Sequence, residues 1–225
     1  MITFKRPDGK ECSGFYAEPK AGDRAPAMVV IQEWWGLNDQ IKGVANRLAE
    51  VGYRALIPDL YRGKVGLDAK EAEHLMTNLN FGDAATQDVR GAVQYLKQTG
   101  SKTGVTGFCM GGALTILAAG NVPEVDAAVS WYGCPPLDYI DATKIKAPLQ
   151  GHWALEDAYF PIQQVEGLEE KLKAAHVPYE FYRYNAKHAF ANETLTNPAA
   201  PIFYDKTAAE AAWARMLTFL KNHLG

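Results

Sequence analysis

Gly107-Phe108-Cys109-Met110-Gly111-Gly112 is the stretch that lies between a predicted strand, residues 102–108, and a predicted helix, residues 111–119. Glycines on both sides of the cysteine match the G-x-S-x-G pattern of a nucleophile elbow, with cysteine in the place of serine. Small residues are needed there because strand and helix approach each other closely at a sharp turn. The turn lifts the central side chain to a helix N-terminus, where the helix dipole and nearby amides favour a thiolate. Cys109 is therefore a candidate nucleophile, and the backbone N–H of Met110 is placed to stabilise an oxyanion.

Segments with strand and helix patterns alternate regularly along the chain. Continuous apolar runs predict strands at residues 27–32, 53–57, 102–108, 125–131, 147–152 and 179–184, after a hairpin formed by residues 2–4 and 14–17. Apolar residues at helical spacing predict helices at residues 41–49, 68–79, 84–98, 111–119, 165–175 and 208–223. This alternation predicts an α/β fold, a mostly parallel sheet with helices on both faces. Because no linker-like stretch divides the chain, residues 1–225 are expected to form a single domain.

The composition limits which classes of partner and which cellular compartment are expected for this protein. The 225 residues include 26 acidic and 23 basic side chains, a net charge of −3, so neither nucleic acid nor an anionic membrane is an expected partner. No apolar run approaches the ~20 residues of a membrane-spanning helix, and the first residues do not resemble a signal peptide. The three cysteines include no C-x-x-C pair, so neither disulfides nor a metal site is indicated. We expect a cytoplasmic protein without a cofactor, a monomer or weak oligomer that acts on a small molecule.

A cysteine nucleophile needs a base, and the base needs an orienting group. Asp157 follows the predicted strand at residues 147–152, and His188 follows the predicted strand at residues 179–184. The carboxyl ends of parallel strands share the edge at which open α/β sheets bind ligands, so these side chains should meet Cys109 there. The chain order Cys109, Asp157, His188 is also the order of nucleophile, acid and histidine expected around such an elbow.

Two other residues compete for these roles. Glu156 is an alternative to Asp157 unless it faces solvent, and His152 is an alternative to His188. His152 precedes both acids in the chain, which is the wrong order for the base, so it is expected to line a pocket instead. His188 taken alone would also fit an ordinary loop histidine.

Glu33 directly follows the apolar run at residues 27–32. An acidic side chain at the end of a buried strand costs free energy unless it is paired or functional, and the alternative is a solvated loop residue. Tryptophans also fall near predicted strand ends, at Trp34, Trp35, Trp131 and Trp153. They fit either ordinary core packing or an apolar, aromatic pocket.

Several stretches of the sequence, taken together, are typical of one protein family. They are Gln32-Glu33-Trp34-Trp35-Gly36, Pro58-Asp59-Leu60-Tyr61, the elbow at residues 107–112, Phe160-Pro161 after Asp157, and Lys187-His188-Ala189-Phe190. With them, nearly the whole chain resembles the dienelactone hydrolase family, carboxymethylenebutenolidase-like proteins with the α/β-hydrolase fold. The resemblance implies a hydrolase of lactones or activated esters.

The resemblance also implies roles for individual residues. It implies a Cys-Asp-His triad in which Cys109 is the nucleophile, His188 is the base and Asp157 orients that base. It further implies that Glu33 contacts the resting thiol and takes part in its activation when substrate arrives.

An oxyanion hole and a substrate pocket complete the expected site. The resemblance implies that the backbone N–H of Trp34 joins that of Met110 in the oxyanion hole. The pocket is expected to include side chains near strand ends and near the histidine, namely Trp35, Trp131, Trp153 and Phe190.

One departure from the family bears on the substrate. Members that act on dienelactone hold its carboxylate with arginines, and one of these positions, beyond the catalytic histidine, is Asn192 in this chain. An amide offers no bidentate cationic fork. Arg62 lies just past a strand end, where it could reach a ligand or remain at the surface. Asn192 and Arg62 are therefore candidate pocket residues, and recognition of a substrate carboxylate is placed in doubt.

Cysteine chemistry favours particular substrates. Attack by Cys109 gives an acyl-thioester, which water activated by His188 then hydrolyses. Because a thiolate leaves more readily than an ordinary alkoxide, enol lactones and thioesters suit this nucleophile better than alkyl esters, and amides suit it poorly. The alternatives are a broad carboxylesterase or thioesterase, and a non-enzymatic ligand-binding or redox-sensing domain with an accessible thiol.

Overall fold

Eight strands form one sheet in the computed structural model, which describes residues 1–225. Their bounds are β1 (Ile2–Lys5), β2 (Glu11–Ala17), β3 (Ala27–Ile31), β4 (Arg54–Pro58), β5 (Thr103–Phe108), β6 (Ala127–Trp131), β7 (Leu149–Glu156) and β8 (Tyr179–Lys187). The order across the sheet is β1-β2-β4-β3-β5-β6-β7-β8. β2 pairs antiparallel with β1 and β4, and all other neighbours are parallel. The predicted α/β fold with a mostly parallel sheet is confirmed.

Helices connect the strands. Their bounds are α1 (Asp39–Glu50), α2 (Ala69–Thr77), α3 (Phe81–Asp83), α4 (Arg90–Lys97), α5 (Met110–Asn121), α6 (Ile162–Ala174) and α7 (Lys206–Leu224). A π-helical segment, Ala84–Val89, joins α3 to α4. The helix predicted at residues 84–98 therefore begins as a π-helix, whose wider turn is not distinguished by apolar spacing. No helix is both long and apolar enough to cross a bilayer.

Both faces of the sheet are buried. Along β3, Val29 and Ile31 pack into one hydrophobic cluster, and Met28 and Val30 pack into another on the opposite face. Helices α4, α5 and α6 contribute to the first cluster, and α1 and α7 contribute to the second. Because side chains alternate between faces along a strand, a strand that is buried on both faces reads as a continuous apolar run.

The carboxyl ends of the parallel strands bring polar residues to one edge of the sheet. Cys109 directly follows β5, Tyr132 follows β6, Asp157 follows β7 and His188 follows β8, while Glu33 lies just beyond β3. These strands are neighbours and run in the same direction, so their carboxyl ends lie together. The sheet therefore assembles residues from distant parts of the chain.

Asp88 is a buried carboxylate that ties the helical layer to the N-terminal hairpin. It lies in the π-helical segment, and its Oδ1 accepts a hydrogen bond from Arg6 Nη1 at 3.1 Å. Both of its oxygens accept from Arg62 Nη2, at 2.7 and 2.9 Å. Arg6 follows β1 and also pairs with Asp8 and Asp83, whereas Arg62 lies in the loop after β4. One carboxylate therefore joins three parts of the chain.

Substituting Asp88→Asn should lower the free energy of unfolding by about 3 kcal/mol, because Arg6 and Arg62 lose a charged partner while the side-chain shape is kept. Asp39→Asn is the matched control, since the Asp39 side chain is 99% exposed and pairs with Lys42 on the same helix. That control should leave stability nearly unchanged. Urea unfolding of both variants measures the difference, and equal losses of stability would contradict the role given to the Asp88 network.

Candidate active site

The elbow residue Cys109 joins β5 to α5 in a strained backbone conformation. Its φ of 55° and ψ of −118° lie outside the regions that non-glycine residues ordinarily occupy. Its N–H donates to the carbonyl of Trp131 at 3.0 Å, and its own carbonyl accepts from the N–H of Gly112 at 2.9 Å. Such a conformation costs about 1–3 kcal/mol and persists only where the surrounding structure holds it. The strain is therefore an independent sign that Cys109 is a functional residue.

Two glycines make room for the elbow. A Cβ atom on Gly107 would overlap the carbonyl oxygen of Gly111. A Cβ atom on Gly111 would overlap the carbonyl oxygens of Ile31 and Gln32, at the end of β3. Only glycine allows the two strands and the helix to approach this closely. The same packing presents the partly exposed thiol of Cys109 at the N-terminus of α5.

Asp157 and His188 form a buried pair beside the elbow. His188 Nδ1 and Asp157 Oδ2 are 2.8 Å apart, and the two side chains are only 4% and 2% exposed. Asp157 Oδ1 accepts from the backbone N–H groups of Tyr159 and Phe160, at 2.8 and 2.9 Å. Because both carboxylate oxygens are engaged, the direction of the carboxylate is held. It orients the imidazole and leaves Nε2 as the ring nitrogen available for chemistry.

The charges of the site favour a protonated His188. Burial lowers the pKa of His188, but the neighbouring Cys109 thiolate and the hydrogen-bonded Asp157 carboxylate outweigh burial and raise that pKa to about 10. The ordinary pKa of histidine is about 6.5. His188 can therefore carry a positive charge around neutral pH.

Glu33 is a buried acid in the same cavity. Its Oε2 accepts a hydrogen bond from the amide of Asn192 at 2.7 Å, and its Oε1 accepts one from the hydroxyl of Tyr132 at 3.2 Å. Burial raises the pKa of Glu33, and these hydrogen bonds and the charge of His188 offset only part of that rise. In this structure, neutral donors hold the carboxylate. Glu33 and Cys109 line the same cavity, and the expected contact of Glu33 with the resting thiol stays a prediction.

Tyr132 belongs to this group although the sequence analysis does not identify it. It is buried with a positive φ of 37°, and its ring packs edge-on at 5.2 Å from His188 and 5.1 Å from Phe190. Burial, together with the charges of Glu33 and Cys109, keeps the pKa of Tyr132 well above its ordinary value, so the hydroxyl remains a hydrogen-bond donor. Its position directly after β6, at the edge that carries the other residues, is the signal that could have identified it.

Cys109, His188 and Glu33 line one cavity of about 940 Å³. Of its 24 lining residues, 16 are hydrophobic, and an apolar cavity with a few convergent polar groups is the usual form of a small-molecule site. Trp34 and Trp35 lie in its wall with their rings edge-on at 5.1 Å. No cluster of three or more His, Cys, Asp or Glu side chains in the chain is arranged to hold a metal ion.

Two tryptophans and one phenylalanine that were predicted to line the pocket lie in the core instead. Trp131 is buried, and its indole N–H donates to Thr106 Oγ1 at 3.2 Å. Trp153 packs edge-on against Phe181 at 5.1 Å, and Phe190 is fully buried. Trp131 and Trp153 belong to β6 and β7, where side chains point to the faces of the sheet rather than beyond its edge. The predicted pocket roles of all three are therefore corrected to core packing.

The two side chains considered for carboxylate binding also lie outside the cavity wall. Asn192 is buried, and its amide nitrogen donates to Glu33. Arg62 forms a bidentate pair with Asp88 and donates to the carbonyl of Asp59 at 2.7 Å. Their predicted pocket positions are corrected accordingly, because both already have partners elsewhere.

The alternative acid and base are distinguished by their positions. Glu156 is exposed at the end of β7. His152 is fully buried, with its ring nitrogens 3.0 Å from the hydroxyl of Tyr184 and 3.0 Å from Oε1 of Gln150. Burial, with a smaller contribution from the charge of Arg215, lowers the pKa of His152 to about 3. His152 is therefore a neutral core histidine, which corrects the expectation that it lines a pocket.

Known proteins resemble the whole chain. The profile of the dienelactone hydrolase family matches residues 12–224. Protein usf of Aquifex pyrophilus is 34% identical over 100% of this chain and 98% of its own length. A protein of Aquifex aeolicus, provisionally named carboxymethylenebutenolidase, is 32% identical over 100% of this chain and 98% of its own. The crystal structure of a provisionally named dienelactone hydrolase from Klebsiella pneumoniae has a TM-score of 0.84 at 27% identity, over 99% of this chain and 98% of that one.

Removing the thiolate should lower the pKa of His188. In Cys109→Ser the neighbouring negative charge is lost while Asp157 remains, so the imidazole should titrate well below a pKa of about 10. NMR titration of the His188 ring measures the shift. Cys12→Ser is the control, because Cys12 is a buried thiol outside the cavity, and it should leave the titration unchanged. The same high pKa in Cys109→Ser would contradict a thiolate–imidazolium pair.

Proposed function

Because the chain belongs to the dienelactone hydrolase family, hydrolases of ester and lactone bonds with the α/β-hydrolase fold, we propose that it cleaves lactones or activated esters through a Cys109–His188–Asp157 triad. The observation that carries this proposal is the 2.8 Å pair of His188 and Asp157 beside a strained elbow cysteine in one apolar cavity. These three side chains would supply the nucleophile, the base and the orienting acid that acyl transfer requires.

Acylation begins with the thiolate. Cys109 Sγ attacks the carbonyl carbon, and the π electrons of the carbonyl move to its oxygen. The backbone N–H groups of Trp34 and Met110 are proposed to stabilise this oxyanion. When the tetrahedral intermediate collapses, the bond between carbon and the leaving oxygen breaks, and His188 gives its proton to that oxygen. The product is an acyl-thioester on Cys109, to which the ring-opened hydroxyl or enol of a lactone remains attached.

Deacylation uses the same groups in reverse. After acylation the sulfur is part of the thioester, and His188 has given its proton to the leaving oxygen. The neutral His188 can then accept a proton from an attacking water. The carbon–sulfur bond then breaks, the carboxylic acid is released, and the thiolate and imidazolium are restored. Since a thiolate leaves more readily than an alkoxide, a substrate with a stabilised leaving oxygen, such as an enol ester or enol lactone, passes forward more efficiently than an alkyl ester.

Glu33 supplies a second titratable group at the cavity wall. Burial raises the pKa of this carboxyl, so it can hold or release a proton closer to neutral pH than an exposed acid can. In the proposed cycle, Glu33 takes part in activation of the thiol when substrate enters. Tyr132 and Asn192 position it, each through one hydrogen bond to a different carboxylate oxygen.

A broad esterase or thioesterase activity is the second candidate. The cavity volume of about 940 Å³ favours it, because small-molecule sites span about 300–1,000 Å³ and this one is near the upper end. The same triad would serve both activities, so substrate range separates them.

Cys109→Ala should lower kcat/KM for an enol lactone by about 10⁴-fold or more, because no other group forms the acyl-enzyme. Asp157→Asn should lower it by about 10³–10⁴-fold, since the imidazole loses its orienting charge. Cys12→Ala is the control, and its rate should match that of the unchanged protein. Turnover by Cys109→Ala would exclude the proposed triad. Rapid iodoacetamide labelling of Cys109 without turnover of any ester or lactone would favour a redox-sensing or ligand-binding role.

A further inference from the structure

The charged groups around the cavity are unevenly distributed. None of the lining residues is a lysine or an arginine, whereas two glutamates, Glu33 and Glu73, are among them. The imidazole of His188 is already paired with the Asp157 carboxylate at 2.8 Å. A negatively charged group entering this cavity would therefore meet carboxylates and no free cation.

The two side chains that the sequence offered for carboxylate binding do not change this balance. Arg62 directs its guanidinium to both oxygens of the buried Asp88, outside the cavity wall. Asn192 donates its amide to Glu33, so it offers neither charge nor a free donor to a ligand. If Arg62 or Asn192 turned toward a ligand, the buried carboxylate of Asp88 or Glu33 would lose a hydrogen bond, which is unfavourable.

Most of the remaining wall and the entrance are apolar or aromatic, and the polar side chains of Thr86 and Asn121 donate to backbone carbonyls. Tyr139 and Tyr159 line the cavity although they are 72% and 51% exposed, so they mark its opening to solvent. Deeper lining residues include Leu117, Phe160 and Ile202, which offer contact area but no hydrogen bonds from their side chains. Burial of apolar ligand surface is worth about 25 cal/mol per Å², whereas burial of an unpaired carboxylate is costly.

From these charges and contacts, and resting on the proposed function, we infer that the substrates are uncharged esters or lactones with a bulky apolar group, and that the cavity discriminates against substrates carrying a carboxylate. Glu73 is the specificity-determining residue that can be tested most cleanly. It is an exposed residue of α2 that lines the cavity, and its carboxylate forms no hydrogen bond or ion pair with another group of the protein.

The experiment compares three p-nitrophenyl esters of matched length, whose acyl chains end in a methyl, a carboxamide or a carboxylate group. In the unchanged protein, kcat/KM should be lower for the carboxylate than for the carboxamide by about tenfold or more, because only charge separates the two. The methyl-terminated ester should be the best of the three. Cys109→Ala should remove all three activities, which ties the measurement to the proposed site.

Substitutions that change the charge at residue 73 test whether Glu73 causes the discrimination against the carboxylate. The carboxamide-to-carboxylate ratio of kcat/KM should fall from the unchanged protein to Glu73→Gln and again to Glu73→Lys, by about threefold or more over the series. A carboxylate ester cleaved through Cys109 as fast as the carboxamide would overturn the inference and leave the triad standing. A ratio unaffected by Glu73→Lys would also overturn it. Absence of turnover for all three esters in the unchanged protein would overturn the proposed function itself.

Discussion

Close packing around the elbow holds the backbone of Cys109 in a conformation, φ 55° and ψ −118°, that the residue would not adopt alone. Gly107 and Gly111 permit this because a Cβ atom on either would overlap a carbonyl oxygen of a neighbouring element. The thiol, the first N–H groups of α5 and the end of β6 are positioned by the same turn. Relaxation of the elbow would move the Cys109 thiol and the backbone N–H of Met110 together, so the proposed chemistry depends on this packing.

His188 and Glu33, which line the cavity together with Cys109, are held by different kinds of partner, and these partners have opposite effects on the charge of the two side chains. The charge of Cys109 and the hydrogen bond to the Asp157 carboxylate raise the pKa of His188 to about 10, which favours the imidazolium. Glu33 is held by two neutral donors, an amide and a phenol, so burial dominates and raises the pKa of its carboxyl. The cations near the site, such as Arg62, are paired with buried carboxylates instead. No lysine or arginine therefore lines the cavity to attract an anionic substrate.

Strand ends and chain order were enough to predict the sheet and the pairing of Asp157 with His188, because parallel strands bring their carboxyl ends to one edge. The same reasoning misplaced Trp131 and Trp153, since proximity to a strand end in sequence does not show whether a side chain faces a helix layer or the cavity. Asn192 was misplaced because the family resemblance supplied its position, and the resemblance does not reveal that its amide is buried and donates to Glu33. Tyr132 was missed because an aromatic residue after a buried strand resembles ordinary core.

The central claim is that Cys109 carries the acyl group during turnover. Rapid quenching of the reaction with an activated ester, followed by intact-mass and peptide mass spectrometry, tests it most directly. The account predicts an adduct of the mass of the acyl group on the peptide that contains Cys109. Neutral hydroxylamine should remove this adduct, as expected of a thioester. An adduct on another residue, or sustained turnover with no adduct on Cys109 at any quench time, would contradict the account.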